Sequence, residues 1–254
     1  MPATAPEGKL AQMRAFGATV VRVDASYDVA YELSLRATAR MGWLIRNTGY
    51  NPYTIDGKRT GAFEIAWQLG WRAPDVVAVG TGDGVILAGL AKGFRDLRAL
   101  GWIDRVPRML GVQASTASSL ARGFASGDLV PPTVPGSRSI ADSIVVDAPR
   151  NGVIALREAR ESGGAIIDVP DDEIRRALRE AASERGIFME PSCAAAVAGV
   201  EAAAERGLLR KDERVVIVVT GTGLKDVKGA LSCVRVPAPV APTLEAALAE
   251  IGEG

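Results

Sequence analysis

Short β-branched runs alternate along this chain with stretches whose apolar residues recur at helical spacing. That pattern predicts a mainly parallel sheet covered by helices. Strands are expected at 19–22, 76–79, 108–113, 165–169 and 214–220. The clearest helix is expected over 172–185. There Ile174, Ala177, Leu178, Ala181 and Ala182 share one face, acidic residues fill the first turn and Gly186 follows the last. The stretch 194–206 is apolar nearly all round and reads as a buried helix capped by Ser192. The end of the chain reads as a Pro-rich linker and a short helix capped by Thr243.

The beginning breaks the pattern. A first helix over 8–16 follows the loop-like PATAPE, where an α/β layer normally delivers a strand. At most two plausible strands precede residue 50, too few for an independent sheet, so a preceding segment is expected to be missing.

Composition narrows the functional classes. With 254 residues, 48% of them apolar, the chain can bury a sizeable core. Lys+Arg and Asp+Glu balance at 30 each, which argues against a polyanionic partner and so against nucleic acid. No apolar run approaches a membrane span and the start has no signal-peptide character. Cys193 and Cys233 have no metal-ligand spacing and fit reduced thiols in a cytoplasm. There is no histidine, so zinc hydrolysis and Ser-His-Asp chemistry would need a group from elsewhere. A lysine, a carboxylate or an organic cofactor remains.

The sharpest chemical signal is VVAVGTGDGVILAGLAKGF at 76–94. A buried strand runs into Gly80, Thr81, Gly82, Asp83 and Gly84, and a helix begins near Val85. Glycines allow successive backbone N–H groups to line one concavity, and the helix start adds partial positive charge, so the loop suits a phosphate. A dinucleotide fingerprint fails because Val85 stands where its third glycine belongs, and a Walker loop lacks its Gly-Lys-Ser/Thr. A glycine-rich turn with no ligand stays open on this motif alone. Asp83 sits awkwardly beside an anion. Its side chain is expected to point away, so that alanine there leaves phosphate affinity intact or improves it.

Three further segments follow in register: NPYTIDGKRTGAFEIAWQLGW at 51–71, GIFMEPSCAAAVAGV at 186–200 and VVTGTGLKD at 218–226. Together with the loop they resemble the fold-type-II pyridoxal-phosphate enzymes, the threonine synthases most closely, over nearly the whole chain. The resemblance implies a tryptophan synthase β-like, three-layer α/β/α fold with an incomplete small domain. It divides the chain into a small-domain remnant at 1–50, a cofactor-binding domain at 51–236 and a C-terminal linker and helix at 237–254. It implies pyridoxal 5'-phosphate as cofactor, with its phosphate on Gly80, Thr81, Gly82, Asp83 and Gly84 and its ring nitrogen facing Thr220. A neutral hydroxyl at that position suits β- or γ-elimination or replacement on a small amino acid. Glu190 and Ser192 lie near the ring in relatives, although a structural role is favoured here. A homodimer is implied for a full-length protein.

The match also breaks. The family tethers its cofactor as a Schiff base on a lysine in an S-x-K-D-R-like motif, and it cradles the substrate carboxylate with a Ser-x-x-Asn loop. Neither motif is present. None of Lys9, Lys58, Lys92, Lys211, Lys225 and Lys228 has that context, and Lys58 is rejected as a substitute because a solvated amine stays protonated. No catalytic residue is therefore assigned, and the chain alone is expected to turn over little or nothing. Asn47 and Thr48 fit an upstream substrate-binding pair. Thr54 stands where an arginine would grip a substrate phosphate, so an unphosphorylated substrate is in play. The alternatives are a threonine or serine dehydratase-like lyase, and a non-catalytic cofactor-binding chain or split-enzyme subunit.

Overall fold

The computed structural model describes residues 1–252. At its centre lies a four-stranded parallel sheet: β1 (Val76–Gly80), β2 (Arg108–Ala114), β3 (Ala165–Val169) and β4 (Val215–Ile217), in the spatial order β3-β2-β1-β4. The helices are α1 (Glu7–Ala15), α2 (Tyr27–Met41), α3 (Tyr53–Lys58), α4 (Thr60–Gln68), α5 (Val85–Ala99), α6 (Ser119–Ser126), α7 (Gly152–Glu161), α8 (Asp171–Arg185), α9 (Pro191–Glu205), α10 (Val227–Leu231) and α11 (Leu244–Gly252). None is long and apolar enough to cross a membrane.

Strand side chains alternate between faces, and both faces are covered. Val76 and Ala78 of β1, Leu110 and Val112 of β2 and Ile167 of β3 pack against Ile174, Ala177 and Leu178 of α8 and Ala194, Ala195 and Ala198 of α9. Val77, Val79, Met109 and Ile166 point the other way, onto Leu87, Leu90 and Phe94 of α5 with residues of α4, α6 and α7. Each large side chain removed from water contributes about 1.5–3 kcal/mol, which is why the strands read as unbroken apolar runs.

The helix at 172–185 begins one residue earlier than expected and ends at Gly186, whose φ of 67° supplies the left-handed stop. Thr243 caps α11 as expected, its Oγ1 accepting from the Ala246 N–H at 3.2 Å. The expected C-terminal unit reaches Gly254, whose last two residues lie outside those described.

Two strand expectations change. No strand forms at 19–22; among the described residues none precedes Val76. Residues 21–23 instead run beside the chain start, with Ala3 N–H donating to Val23 O at 2.7 Å and Val23 N–H to Met1 O at 2.9 Å. A β-branched run becomes a strand only where a partner strand lies alongside, and the described residues supply one too short to count. β4 is likewise shorter than 214–220. It pairs with β1 from Val76 opposite Val215 to Ala78 opposite Ile217, with one further bond from Val218 N–H to Ala78 O at 2.9 Å.

Gly199 of α9 lies directly over Val112, and a Cβ there would overlap the valine side chain. Val112 is β-branched, fully buried and held in the sheet between β1 and β3, so it has little room to give. Gly199→Val is expected to lower the unfolding free energy by about 3 kcal/mol, read from urea denaturation. An unchanged midpoint would show that α9 can lift off the sheet.

Candidate functional site

The strand order reverses between β1 and β4. The chain leaves β1 onto one face of the sheet through α5 and reaches β4 from the other face through α9. Such a reversal opens a crevice beyond the carboxyl ends of the two strands, the usual ligand position in open α/β sheets. Two expected features meet at this crevice: the glycine loop that follows β1, and Thr220 that follows β4.

β1 ends where a side chain would not fit, since a Cβ on Gly80 would overlap the carbonyl oxygen of Ser192. Thr81 belongs to the protein interior. Its N–H donates to Val112 O at 2.8 Å, its hydroxyl to Val79 O at 2.9 Å, and its carbonyl accepts from Gln113 Nε2 at 3.1 Å. The chain then turns. The N–H groups of Gly82, Asp83, Gly84 and Val85 have no acceptor among the described residues. Gly84, at φ 85°, occupies the left-handed region, and a Cβ there would come within 2.5 Å of the Ala155 Cβ. Four unanswered N–H groups at the start of a 15-residue helix form a ready anion site.

Asp83 points its carboxylate at two donors outside that amide row, as expected. Oδ1 accepts from the Arg150 N–H at 2.9 Å and Oδ2 from the Tyr27 hydroxyl at 3.1 Å. Burial pushes its pKa up, with the bonds from Arg150 and Tyr27 opposing. Burial and the Asp83 charge push the Tyr27 hydroxyl up as well. The expectation for alanine at this position therefore changes. The side chain ties the loop to Tyr27 and Arg150, so alanine there is expected to free the loop.

Across the crevice, residues 188–190 pair with 221–223: Glu190 N–H donates to Gly221 O at 3.1 Å and Gly223 N–H to Phe188 O at 3.1 Å. This pairing places Thr220 against the start of α9. Its N–H donates to Cys193 Sγ at 3.2 Å, its hydroxyl lies 3.4 Å from the same sulfur, and the residue is exposed. Ser192 is not the helix cap. Glu190 holds the N-cap position, Pro191 the first helical position, and Ser192 the turn itself. Proline suits that first position because its missing N–H has no intrahelical partner in any case. Ser192 Oγ is buried and has no hydrogen-bond partner among the described residues, so the crevice wall carries one unanswered hydroxyl.

Sequence reasoning missed the rim. Ser143 Oγ donates to Glu190 Oε2 at 3.3 Å, and Lys9 of α1 reaches Ser143 Oγ at 2.8 Å and Asp142 at 3.4 Å. The two Lys9 contacts join residues more than 130 positions apart, and the Ser143–Glu190 contact joins residues 47 apart, so none carries a local signal. Asn47 and Thr48 are not brought directly to the loop. Asn47 Nδ2 donates to Ser34 Oγ at 2.6 Å, and Thr48 contributes its carbonyl to the Tyr31 hydroxyl at 3.1 Å. Thr54 is buried with its hydroxyl on Asn51 O at 2.7 Å. Lys58 is half-buried, not solvated, and burial with the nearby Arg46 charge lowers its pKa; its Cβ faces Gly89 in α5. A cleft of about 660 Å³ between Trp71, Trp102 and Arg214 lies at the amino end of the strands, by the residues that lead into β1 and β4, away from the loop.

The raised pKa of Asp83 sets a pH-dependent cost. The folded state binds this proton more tightly than the unfolded chain, so the charged carboxylate disfavours folding above its folded pKa. The penalty fades as pH falls through that value towards the ordinary carboxylate range. Asp83→Asn is expected to raise the melting temperature at neutral pH, with the gain shrinking on acidification. A gain that persists or grows in acid would contradict this origin.

Residues 1–221 match the family described as Pyridoxal-phosphate dependent enzyme. The chain is 35% identical to threonine synthase of Methanocaldococcus jannaschii, over 91% of its own length and 56% of the relative's. It is also 35% identical to threonine synthase of Mycobacterium tuberculosis, over 92% and 62%. The chain thus spans about three-fifths of the length of these relatives. Among solved structures it superposes on threonine deaminase isoform 2 from Solanum lycopersicum with a TM-score of 0.73 at 23% identity, covering 93% of this chain and 66% of the other. Maize serine racemase gives 0.69 at 22%, covering 85% and 64%; these two likenesses concern the fold. A chain with a bare amide cradle at the reversal of a parallel sheet, matched by this family over residues 1–221, belongs to the pyridoxal-phosphate-dependent enzymes.

Proposed function

We propose that this chain holds the cofactor in a threonine synthase-like enzyme that eliminates or replaces a β- or γ-substituent of a small amino acid. The observation that carries this reading is the row of unanswered N–H groups from Gly82 to Val85, facing the crevice that Thr220 borders. These residues fit pyridoxal 5'-phosphate. The amides take the phosphate, Gly80, Gly82 and Gly84 let the loop pack against Ser192, Ile144 and Ala155 where a Cβ would not fit, and the buried Ser192 hydroxyl has no partner among the described residues. When bound, the cofactor withdraws electrons from the α-carbon of the amino acid.

The chain's own groups do the rest of the holding. The Thr220 hydroxyl is neutral, so it would leave a ring nitrogen unprotonated, and Cys193 fixes its position. Glu190 is oriented by Ser143, and Lys9 places a cation at the rim where an anionic substituent of the substrate would pass. Thr54 is tied into its own turn and offers no fork to a phosphate, and Lys9, paired with Asp142, is a cation at this rim. The tethering amine is not assigned to any of the six lysines. Lys92 pairs with Asp56 and Asp96, Lys58 ends α3 with its Cβ packed against Gly89 of α5, and Lys225 and Lys228 sit in the turn and helix after Thr220. A dehydratase-like lyase is the second reading, favoured by the committed Thr54 hydroxyl.

Titration with pyridoxal 5'-phosphate, followed by tryptophan fluorescence, is expected to show saturable binding. Gly82→Val is expected to weaken it by about tenfold or more, because a Cβ there lies 3.1 Å from Ile144 Cα and displaces the amide row. Equal binding by both proteins would remove the loop from the site. Borohydride treatment of the saturated protein should label no defined lysine. A single labelled lysine would overturn the assignment of the tether to none of the six.

A further inference from the structure

An aspartate in a phosphate loop repels the ligand, so its presence calls for another task. Beyond its two donors, Asp83 stands at one end of a polar cluster that joins three distant segments. Its main-chain carbonyl accepts from Asn151 N–H at 3.1 Å, and Asn151 Nδ2 donates to Gly84 O at 3.3 Å. Arg150, whose N–H binds Asp83, turns its guanidinium to α2. It pairs with Asp28 at 2.7 Å, approaches Glu32 at 3.8 Å and stacks 4.5 Å over the Tyr31 ring. Asp28 Oδ2 accepts from Asp147 N–H at 3.3 Å. The Tyr31 hydroxyl continues to Thr48 O, and Gly49 packs so closely on Arg150 that a Cβ would sit 2.5 Å from the arginine Cβ.

The cluster is a chain of mechanical links. Moving Asp83 moves Tyr27 and Arg150; moving Arg150 moves Tyr31 and the turn at 47–49. We propose that Asp83 is a positioning residue, which through Tyr27 and Arg150 fixes the amide row of Gly82–Val85 relative to α2 and the Asn47–Thr48 turn. The two halves of the site, one for phosphate and one for the amino-acid end of the substrate, are then set by a single partly buried clasp. This inference rests on the loop reading made above.

The test compares Asp83→Ala, Asp83→Asn and Tyr27→Phe. Asparagine keeps an oxygen for Arg150 N–H and a polar group for Tyr27 while dropping the charge; alanine keeps neither. Pyridoxal 5'-phosphate affinity is expected to fall about tenfold in Asp83→Ala, to stay within about threefold in Asp83→Asn, and to fall about threefold in Tyr27→Phe. Hydrogen exchange at the Tyr50, Asn51 and Asn151 amides, measured without cofactor, should speed up in Asp83→Ala and not in Asp83→Asn. Affinity and exchange unchanged in Asp83→Ala would overturn the clasp, as would loss in Asp83→Asn equal to that in Asp83→Ala. If Asp83→Ala fails to fold, Tyr27→Phe decides: it loses one hydroxyl, and unchanged affinity and exchange there overturn the proposal. If the parent protein binds no pyridoxal 5'-phosphate yet the exchange pattern follows the expected order, the clasp stands and the cofactor reading falls.

Discussion

The site depends on the meeting of β1 with α9. β1 must end flush against the first turn of that helix, where the Ser192 carbonyl leaves no room for a side chain on residue 80. Because β1 stops there, the chain has to turn, and because it turns before α5, the amides of the turn find no partner in the sheet. The same contact brings the segment after β4 alongside α9, where Cys193 and the pairing of 188–190 with 221–223 hold Thr220. One close approach therefore produces both the anion cradle and the hydroxyl beside it. Neither needs a histidine or a metal-ligand set, in keeping with a histidine-free chain.

Polar atoms around the crevice divide into two kinds. Thr81, Gln113, Asn151 and Asp83 are fully engaged with protein and stiffen the loop. The amides of Gly82–Val85 and the Ser192 hydroxyl have no protein partner among the described residues. Buried polar groups left without partners cost stability, so such a set gathered at one strand-order reversal is what the proposed cofactor phosphate would complete.

Much of this was legible in the sequence. β1, β2 and β3 fall within a residue or two of their expected bounds because doubly buried parallel strands give continuous apolar runs between turn signals. The glycine loop was legible because glycine spacing ahead of a helix has a local physical meaning. What failed was set by distant residues in one case and by adjacent ones in another. The run at 19–22 has strand composition without a neighbouring strand, and Ser192 has a capping side chain in a position already taken by Glu190 and Pro191. The true surroundings of Asp83 were only half visible. That its side chain points away followed from charge, whereas Tyr27 and Arg150 lie 56 and 67 positions away in the chain. Lys58 shows the same limit, since its half-buried state depends on a helix that begins 27 residues later.

The alternation within β1 has a consequence for how this chain tolerates change in length. Val76 and Ala78 belong to the layer beneath α8 and α9, while Val77 and Val79 belong to the layer beneath α5. Adding or deleting one residue inside this strand would exchange the two sets, turning every side chain beyond the change into the wrong layer and rotating the start of the loop by half a turn. A length change in the exposed linker before α11 would carry no such inversion, because no sheet register runs through it. The strand fixes the count of residues between the two helical layers, so a change in length can be absorbed only by segments that do not pass between them.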